Sequence, residues 1–295
     1  MRRIVVTGAD GQVGWELRRT LAPLGHVLAC TRHELDLSEP RKLQQDLEAI
    51  KADVIVNAAA YTAVDAAEVN EALALRINAE APRVLAEEAS RTGGLLVHYS
   101  SDYVFDGTKE APYTEEDEPN PLNAYGRSKL AGEQAIAASG ARYLTFRTSW
   151  VYAARGRNFL LTMLRLIAVR DTLRVVNDQC GAPTWARLVA EANALPVSHW
   201  LANRGRFEIP CGTYHLSCAG QATWREFAEA IVAGFSVPRK PSIIPIRTAE
   251  YPTPALRPLN SLLSNDRIWA TYGIRLPDWR EALALCRADM EIVRP

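Results

Sequence analysis

Apolar residues in the first half of this 295-residue chain come in short unbroken runs, at 4–7, 27–31, 54–57, 95–100 and 143–147. Consecutive rather than alternating apolar positions are the pattern of strands buried on both faces. Between the runs the periodicity changes. Val13, Leu17 and Leu21 recur every fourth residue, and Pro23 and Gly25 close that segment. Helices are predicted over 13–22, 40–50, 66–78 and 79–92, with another over 125–138 ahead of the fifth strand. Ser38, just before Pro40, predicts a capped start for the second of these. Strands alternating with helices predict an α/β fold built on a doubly wound parallel sheet. A ligand then belongs at the carboxyl ends of the strands, where the strand order reverses.

The second half is less regular. Helices are expected over 158–169, 185–200, 223–234 and 277–292, and strands over 173–176 and 213–217. Prolines 238, 241, 245, 252, 254 and 258 mark loop or extended chain. This division predicts a dinucleotide-binding unit over 1–148, with a returning helix near 185–203. A smaller, discontinuous substrate-binding unit is expected from 149–184 and 207–295.

The first strand runs into Gly8-Ala9-Asp10-Gly11-Gln12-Val13-Gly14, and a helix follows. Strand, glycine turn and helix together are the context of a Rossmann-type dinucleotide site. Gly8 permits the tight turn, Gly11 clears the helix N-terminus for a pyrophosphate, and Gly14 lets helix and strand pack closely. An NAD-selective site carries an acid at the end of the second strand; this chain reads Thr31-Arg32 there, which fits a 2′-phosphate and predicts NADPH over NADH.

A second constellation begins where the fourth strand ends, at Ser100-Ser101-Asp102, and continues in Tyr125-Gly126-Arg127-Ser128-Lys129. Tyr125 and Lys129 lie one turn apart on one helix face. An ammonium beside a phenol is expected to lower the phenol pKa, and Ser101 would share the substrate oxygen with it. The three form a proton-transfer unit for reducing a carbonyl or oxidising an alcohol.

Composition narrows the partners. Lys+Arg and Asp+Glu both number 34, so no basic excess points to nucleic acid or an anionic membrane. No apolar run approaches the ~20 residues of a membrane span, and the amino terminus shows no signal-peptide pattern. Five scattered cysteines without a CxxC pair suggest reduced thiols in a cytoplasmic enzyme, with neither zinc nor disulfides.

The glycine turn and the Ser101, Tyr125, Lys129 set resemble the extended short-chain dehydrogenase/reductase superfamily. Within it, blocks 57–65, 99–107, 121–133, 146–152, 177–184 and 251–261 resemble the dTDP-4-dehydrorhamnose reductase family. The resemblance implies NADPH-dependent reduction of the C4 ketone of a dTDP-linked 4-keto-6-deoxy sugar, by a homodimer of such chains. It implies that Gly11, Gln12 and Val13 contact the pyrophosphate, that Asp36 and Leu37 border the adenine, and that Ala60, Tyr61 and Thr62 line the dinucleotide path. Lys129 would hold the nicotinamide ribose. Asp102 and Trp150 would face the sugar, and Arg257 and Asn260 the diphosphate or base. The family is described as Mg2+-dependent through three acids. Glu16 and Asp289 match two of them, but Arg187 holds the third place, so Arg187 is expected to pair with Glu16 or Asp289 and no metal is assigned. Two other readings remain: a nucleotide-sugar dehydratase or epimerase on the same scaffold, and a non-catalytic NADP-binding regulatory subunit. Dehydratases of this kind carry Asp-Glu after the triad hydroxyl, whereas Asp102 is followed here by Tyr103.

Overall fold

The computed structural model describes residues 2–203, 210–236 and 240–292. In chain order the elements are β1 (Arg3–Thr7), α1 (Gln12–Thr20), β2 (His26–Cys30), α2 (Pro40–Ile50), β3 (Val54–Asn57), α3 (Val64–Ala67), α4 (Glu71–Leu75), α5 (Ala81–Thr92), β4 (Leu95–Ser101), α6 (Ala124–Ala138) and β5 (Arg142–Thr148). Then follow β6 (Val151–Tyr152), α7 (Phe159–Ile167), β7 (Thr172–Val176), β8 (Cys180–Gly181), β9 (Thr184–Trp185), α8 (Ala186–Asn203), β10 (Gly212–His215), β11 (Ala222–Thr223), α9 (Trp224–Gly234), β12 (Ser242–Ile246), α10 (Asp266–Tyr272) and α11 (Trp279–Ile292).

Six strands form one sheet in the order β2-β1-β3-β4-β5-β10, and every pairing is parallel. The unbroken apolar runs explain the layering. Ile4, Val6, Val54, Val56, Leu95 and Val97 point into one core with α1 and α8. Val5, Ile55 and Leu96, their neighbours in sequence, point into the other with α2 and α5. Alternate residues of a strand face opposite sides, so a two-sided core needs apolar residues at every position. The order reverses between β1 and β3, where Thr7 is in register with Asn57.

Three features differ from the sequence reading. The helix expected over 66–78 is broken into α3 and α4, and a π-helical turn at Arg76–Glu80 leads into α5. That turn aims Asn78, which accepts from Tyr61 N (2.8 Å) and donates to Tyr61 O (3.0 Å) and Ser128 Oγ (2.9 Å). It thereby ties α6 to the loop after β3. Ser38 does not cap α2, whose N-cap is Glu39; its hydroxyl donates to Asp36 Oδ1 instead (2.6 Å). The strand expected over 213–217 is β10, and it completes the large sheet beside β5, although its residues were placed in the second unit. The proline-rich stretch, expected as loop or extended chain, includes the extended β12, which runs parallel to β7 with Pro245 inside it. A proline without an N–H is tolerated there because, among the described residues, the pair has no third strand to receive one. Pro238 lies outside the described residues.

Candidate active site

A cleft of about 790 Å³ opens over the carboxyl ends of β1, β3 and β4. Its floor is the β1–α1 turn. Gly8 has φ +63°, and a Cβ there would come within 2.8 Å of the Ala59 backbone. A Cβ on Gly14 would come within 2.0 Å of Gly8 O. Gly14 thus serves the turn by its closeness and does not itself line the cleft, whereas Gly8, Gly11, Gln12 and Val13 do. No side chain caps α1, so the N–H groups of its first turn lie open to an anion. Gln12 is fixed by Asn158, whose Nδ2 donates to Gln12 Oε1 (2.8 Å).

At one end of the cleft stand Arg32, Asp36 and Leu37. Arg32 Nε lies 3.4 Å from Asp36 Oδ2, and its side chain is largely exposed. Thr31 is turned away: its N–H and hydroxyl both donate to the Glu34 carboxylate, and it does not line the cleft. Ala60, Tyr61 and Thr62 form the middle wall.

At the other end β4 delivers Ser101 as its last residue. Ser101 Oγ donates to Asp102 Oδ1 (2.8 Å) and accepts from Tyr103 N (3.1 Å). Asn123 caps α6 by accepting from Gly126 N (2.8 Å), which sets Tyr125 in the first turn. A Cβ on Gly126 would sit 2.1 Å from Tyr103 O, so only glycine lets α6 come this close to the chain leaving β4. The Tyr125 phenol thereby lines the same end of the cleft as Ser101. Lys129, one turn on, is 1% exposed; its Nζ donates to Tyr99 O (2.6 Å) and lies 3.2 Å from His98 Nε2.

The electrostatics revise one expectation. Burial pushes the Tyr125 phenol up to about 12, the Ser101 hydrogen bond opposes this, and Lys129 does not lower it. The ammonium is held against β4 instead of being turned to the phenol. Burial brings Lys129 down to about 8, with Glu133 acting against that. Burial raises Asp102 to about 6, opposed by hydrogen bonds from Ser261, Ser101 and Ser149. At neutral pH the phenol therefore keeps its proton, the state a general acid requires.

Trp150 borders the cleft, but its ring is already covered. It stacks on Trp224 with centroids 3.5 Å apart and planes 6° apart. A Cβ on Gly181 would come within 2.5 Å of Trp150 Cε2. Its backbone sits at φ +46°, unusual for a bulky residue. Trp224, which sequence reasoning missed, is a second wall. Its only local signal is the Thr223–Glu226 capping box that starts α9. Arg257 and Asn260 do not line the cleft. Arg257 Nη2 donates to Asp65 Oδ1 (2.8 Å), and Asn260 Nδ2 donates to Lys109 O (2.6 Å) and Ala111 O (3.1 Å). Both hold loops together. Arg157, which does line it, was also missed.

Two observations fit a dinucleotide here. The uncapped α1 and its glycine cradle suit a pyrophosphate. Among the described residues, the buried hydroxyls of Ser100 and Thr148, both on the cleft, have no hydrogen-bond partner. Magnesium fits less well at the acids that the family resemblance implicates. Arg187 Nε donates to Glu16 Oε2 (3.1 Å) and Nη1 to Asp289 Oδ1 (2.6 Å). A guanidinium occupies the place of a dication, and both carboxylates are engaged by it.

Comparison with known proteins extends over nearly the whole chain. The chain matches the family described as RmlD substrate binding domain over residues 1–292. It is 53% identical to dTDP-4-dehydrorhamnose reductase of Burkholderia thailandensis, over 98% of this chain and 99% of that one. It is 44% identical to the enzyme of the same name from Salmonella typhimurium, over 94% of each chain. Among solved structures, dTDP-4-dehydrorhamnose reductase from Bacillus anthracis in complex with NADP superposes with a TM-score of 0.90 at 34% identity, covering 98% of this chain and all of the other.

Proposed function

Because the chain belongs to the dTDP-4-dehydrorhamnose reductase family, we infer that it reduces the C4 ketone of dTDP-4-dehydro-6-deoxy-L-mannose to give dTDP-L-rhamnose, with NADPH as reductant. The observation that carries this reading is the meeting of Ser101, Tyr125 and Lys129 at one end of the cleft that begins at the Gly8–Gly14 turn.

The reduced nicotinamide, when bound, supplies the hydride. The protein's part is placement and proton supply. Gly8, Gly11, Gln12 and Val13 hold the pyrophosphate at the α1 N-terminus. Arg32 receives the 2′-phosphate, Asp36 and Leu37 border the adenine, and Ala60, Tyr61 and Thr62 form the wall beside it. Lys129 holds the nicotinamide ribose. Tyr125 gives its proton to the ketone oxygen as negative charge develops there, and Ser101 hydrogen-bonds the same oxygen. Asp102 keeps Ser101 oriented, and Trp150 and Trp224 close the sugar end against water.

We propose that the sugar is held by the segments around Trp150 and Trp224 and the dinucleotide by 1–148 with α8, which packs along α1. The protein works as a cytoplasmic homodimer on a small molecule. In support of that setting, the formal net charge is zero, and no helix among the described residues is long and apolar enough to cross a membrane. The dehydratase reading is disfavoured by Tyr103, whose ring meets Tyr125 edge to face at 5.9 Å where that chemistry needs a second carboxylate. The regulatory reading is disfavoured by the complete Ser101, Tyr125, Lys129 set.

The test is NADPH consumption with dTDP-4-keto-L-rhamnose, repeated with Tyr125→Phe. Equal rates overturn the proton-donor role. Slow wild-type turnover beside tight NADPH binding supports the regulatory subunit.

A further inference from the structure

His98 is the fourth residue of β4 and 1% exposed. The reductase chemistry does not use it, yet it touches Lys129. Its Nε2 lies 3.2 Å from Lys129 Nζ, and its Nδ1 lies 3.0 Å from Asn57 Nδ2. Thr7 Oγ1 donates to Asn57 Oδ1 (2.6 Å). The chain Thr7, Asn57, His98, Lys129 thus crosses three adjacent strands at the strand-order reversal and ends on the ribose-holding lysine.

Donor and acceptor counting allows two self-consistent arrangements. If Lys129 is an ammonium it has only hydrogens to offer, so Nε2 must accept and Nδ1 carries the proton. With the Asn57 amide turned over, Nδ1–H then donates to Asn57 Oδ1, and Asn57 Nδ2 donates to Thr7 Oγ1. If Lys129 is a neutral amine, the chain reverses: Nε2–H donates to Nζ, Nδ1 accepts from Asn57 Nδ2, and Thr7 donates to Asn57 Oδ1. Mixed arrangements set two donors, or two acceptors, face to face among buried side chains.

We infer that His98 is a positioning residue for the reaction: it holds the Lys129 ammonium against β4, and its tautomer, matched by the orientation of the Asn57 amide, is coupled to the charge of that lysine. The inference rests on the reductase reading and deepens it. The titratable and charged groups around Lys129 are Glu133 and Tyr125 from α6, His98 and Tyr99 from β4, Asp102 beyond β4, and Arg147 from β5. Arg147 is paired with Glu133 (2.6 Å). His98 stays neutral throughout, because burial and the neighbouring ammonium both hold it well below its ordinary value.

Two measurements test it. In 15N-histidine-labelled enzyme, the His98 ring, assigned with His98→Gln, should carry its proton on Nδ1 at neutral pH and on Nε2 above the Lys129 transition near pH 8. A ring protonated on Nε2 at neutral pH, or one tautomer throughout, overturns the inference. In steady-state assays, His98→Leu removes the acceptor. The alkaline limb of kcat should then move about one pH unit lower, and His98→Gln, which offers a carbonyl oxygen, should restore it. An unmoved limb in His98→Leu also overturns the inference. Should His98→Leu not fold, the wild-type titration decides alone. The tautomer needs no turnover to be read, and wild-type turnover in the same assay reports separately on the reductase reading.

Discussion

Ser101 Oγ gives its proton to Asp102 Oδ1 across 2.8 Å, so the hydroxyl that serves the substrate also serves a buried carboxylate. Ser149 donates to the other oxygen (3.2 Å). Even so, burial raises Asp102 to about 6, above its ordinary value of 3.8. A carboxyl raised on folding contributes stability that is intact below about pH 4 and is lost as pH rises through about 6. The stability of wild type relative to Asp102→Asn should therefore fall between about pH 4 and 6 and level off above that, by on the order of 1–3 kcal/mol in all. Urea titrations across that range give the difference directly. A difference independent of pH would show that Asp102 is not the titrating group.

The acidic side of the profile has an opposite contributor. His215 is fully buried, with Nδ1 3.1 Å from Tyr113 O and Nε2 3.5 Å from Arg147 Nη1. Burial first, then Arg147, hold it down to about 3. Its contribution is present above about pH 6.5 and is lost as pH falls from there toward 3, because the unfolded chain takes up the proton that the folded one refuses. Below pH 6 this loss should amount to a few kcal/mol by pH 4. His215→Gln should flatten the slope of stability against pH over that interval, and an unchanged slope would exclude His215.

Cofactor choice rests on Arg32. Its guanidinium is held only at Nε, by Asp36, which leaves its outer nitrogens for a phosphate. Charge-assisted bonds of this kind contribute about 1.5–3 kcal/mol. Arg32→Ala should therefore raise the KM for NADPH about tenfold to a hundredfold and leave that for NADH nearly unchanged. Equal effects on both cofactors would mean that Arg32 does not meet the 2′-phosphate.

The Glu16–Arg187–Asp289 cluster makes a prediction about metal. Arg187 bridges two carboxylates, one of them on a residue only 8% exposed. Arg187→Ala leaves that buried charge without its bridge and should cost about 1–3 kcal/mol. Arg187→Glu should cost more without magnesium and recover stability when it is added, because three carboxylates then converge as a hard-cation site. Wild-type thermal stability should not respond to a chelator. A wild-type midpoint that rises with magnesium would contradict the arrangement.

The part of this site that could be read from the chain is the part built from neighbours in sequence. Gly8, Gly11 and Gly14 sit within one turn, Tyr125 and Lys129 within one helical repeat, and Ser101 at the end of an apolar run. What escaped notice depends on contacts between distant segments. Trp224 reaches Trp150 from another helix, and nothing around either residue encodes that stacking. Lys129 was expected to lower the tyrosine because the spacing places both on one face, but the spacing does not reveal that Tyr99 O and His98 compete for the ammonium. The π-helical turn at Arg76–Glu80 has no local signature; it is stabilised by what Asn78 reaches across space. Arg257 and Asn260 have the chemistry of phosphate and base contacts, and it is tertiary placement that commits them to loops.

The position of β10 at the sheet edge has a consequence for synthesis. A nascent chain that has emerged only as far as Thr148 carries β5 as a bare margin, with a row of N–H and C=O groups awaiting a neighbour. That margin is covered only once His215 has left the ribosome, long after the nucleotide-holding turn and the proton-donating helix have been made. Until then the nascent chain is vulnerable to pairing with other strands, and truncations before β10 are expected to aggregate, not to yield a smaller working enzyme.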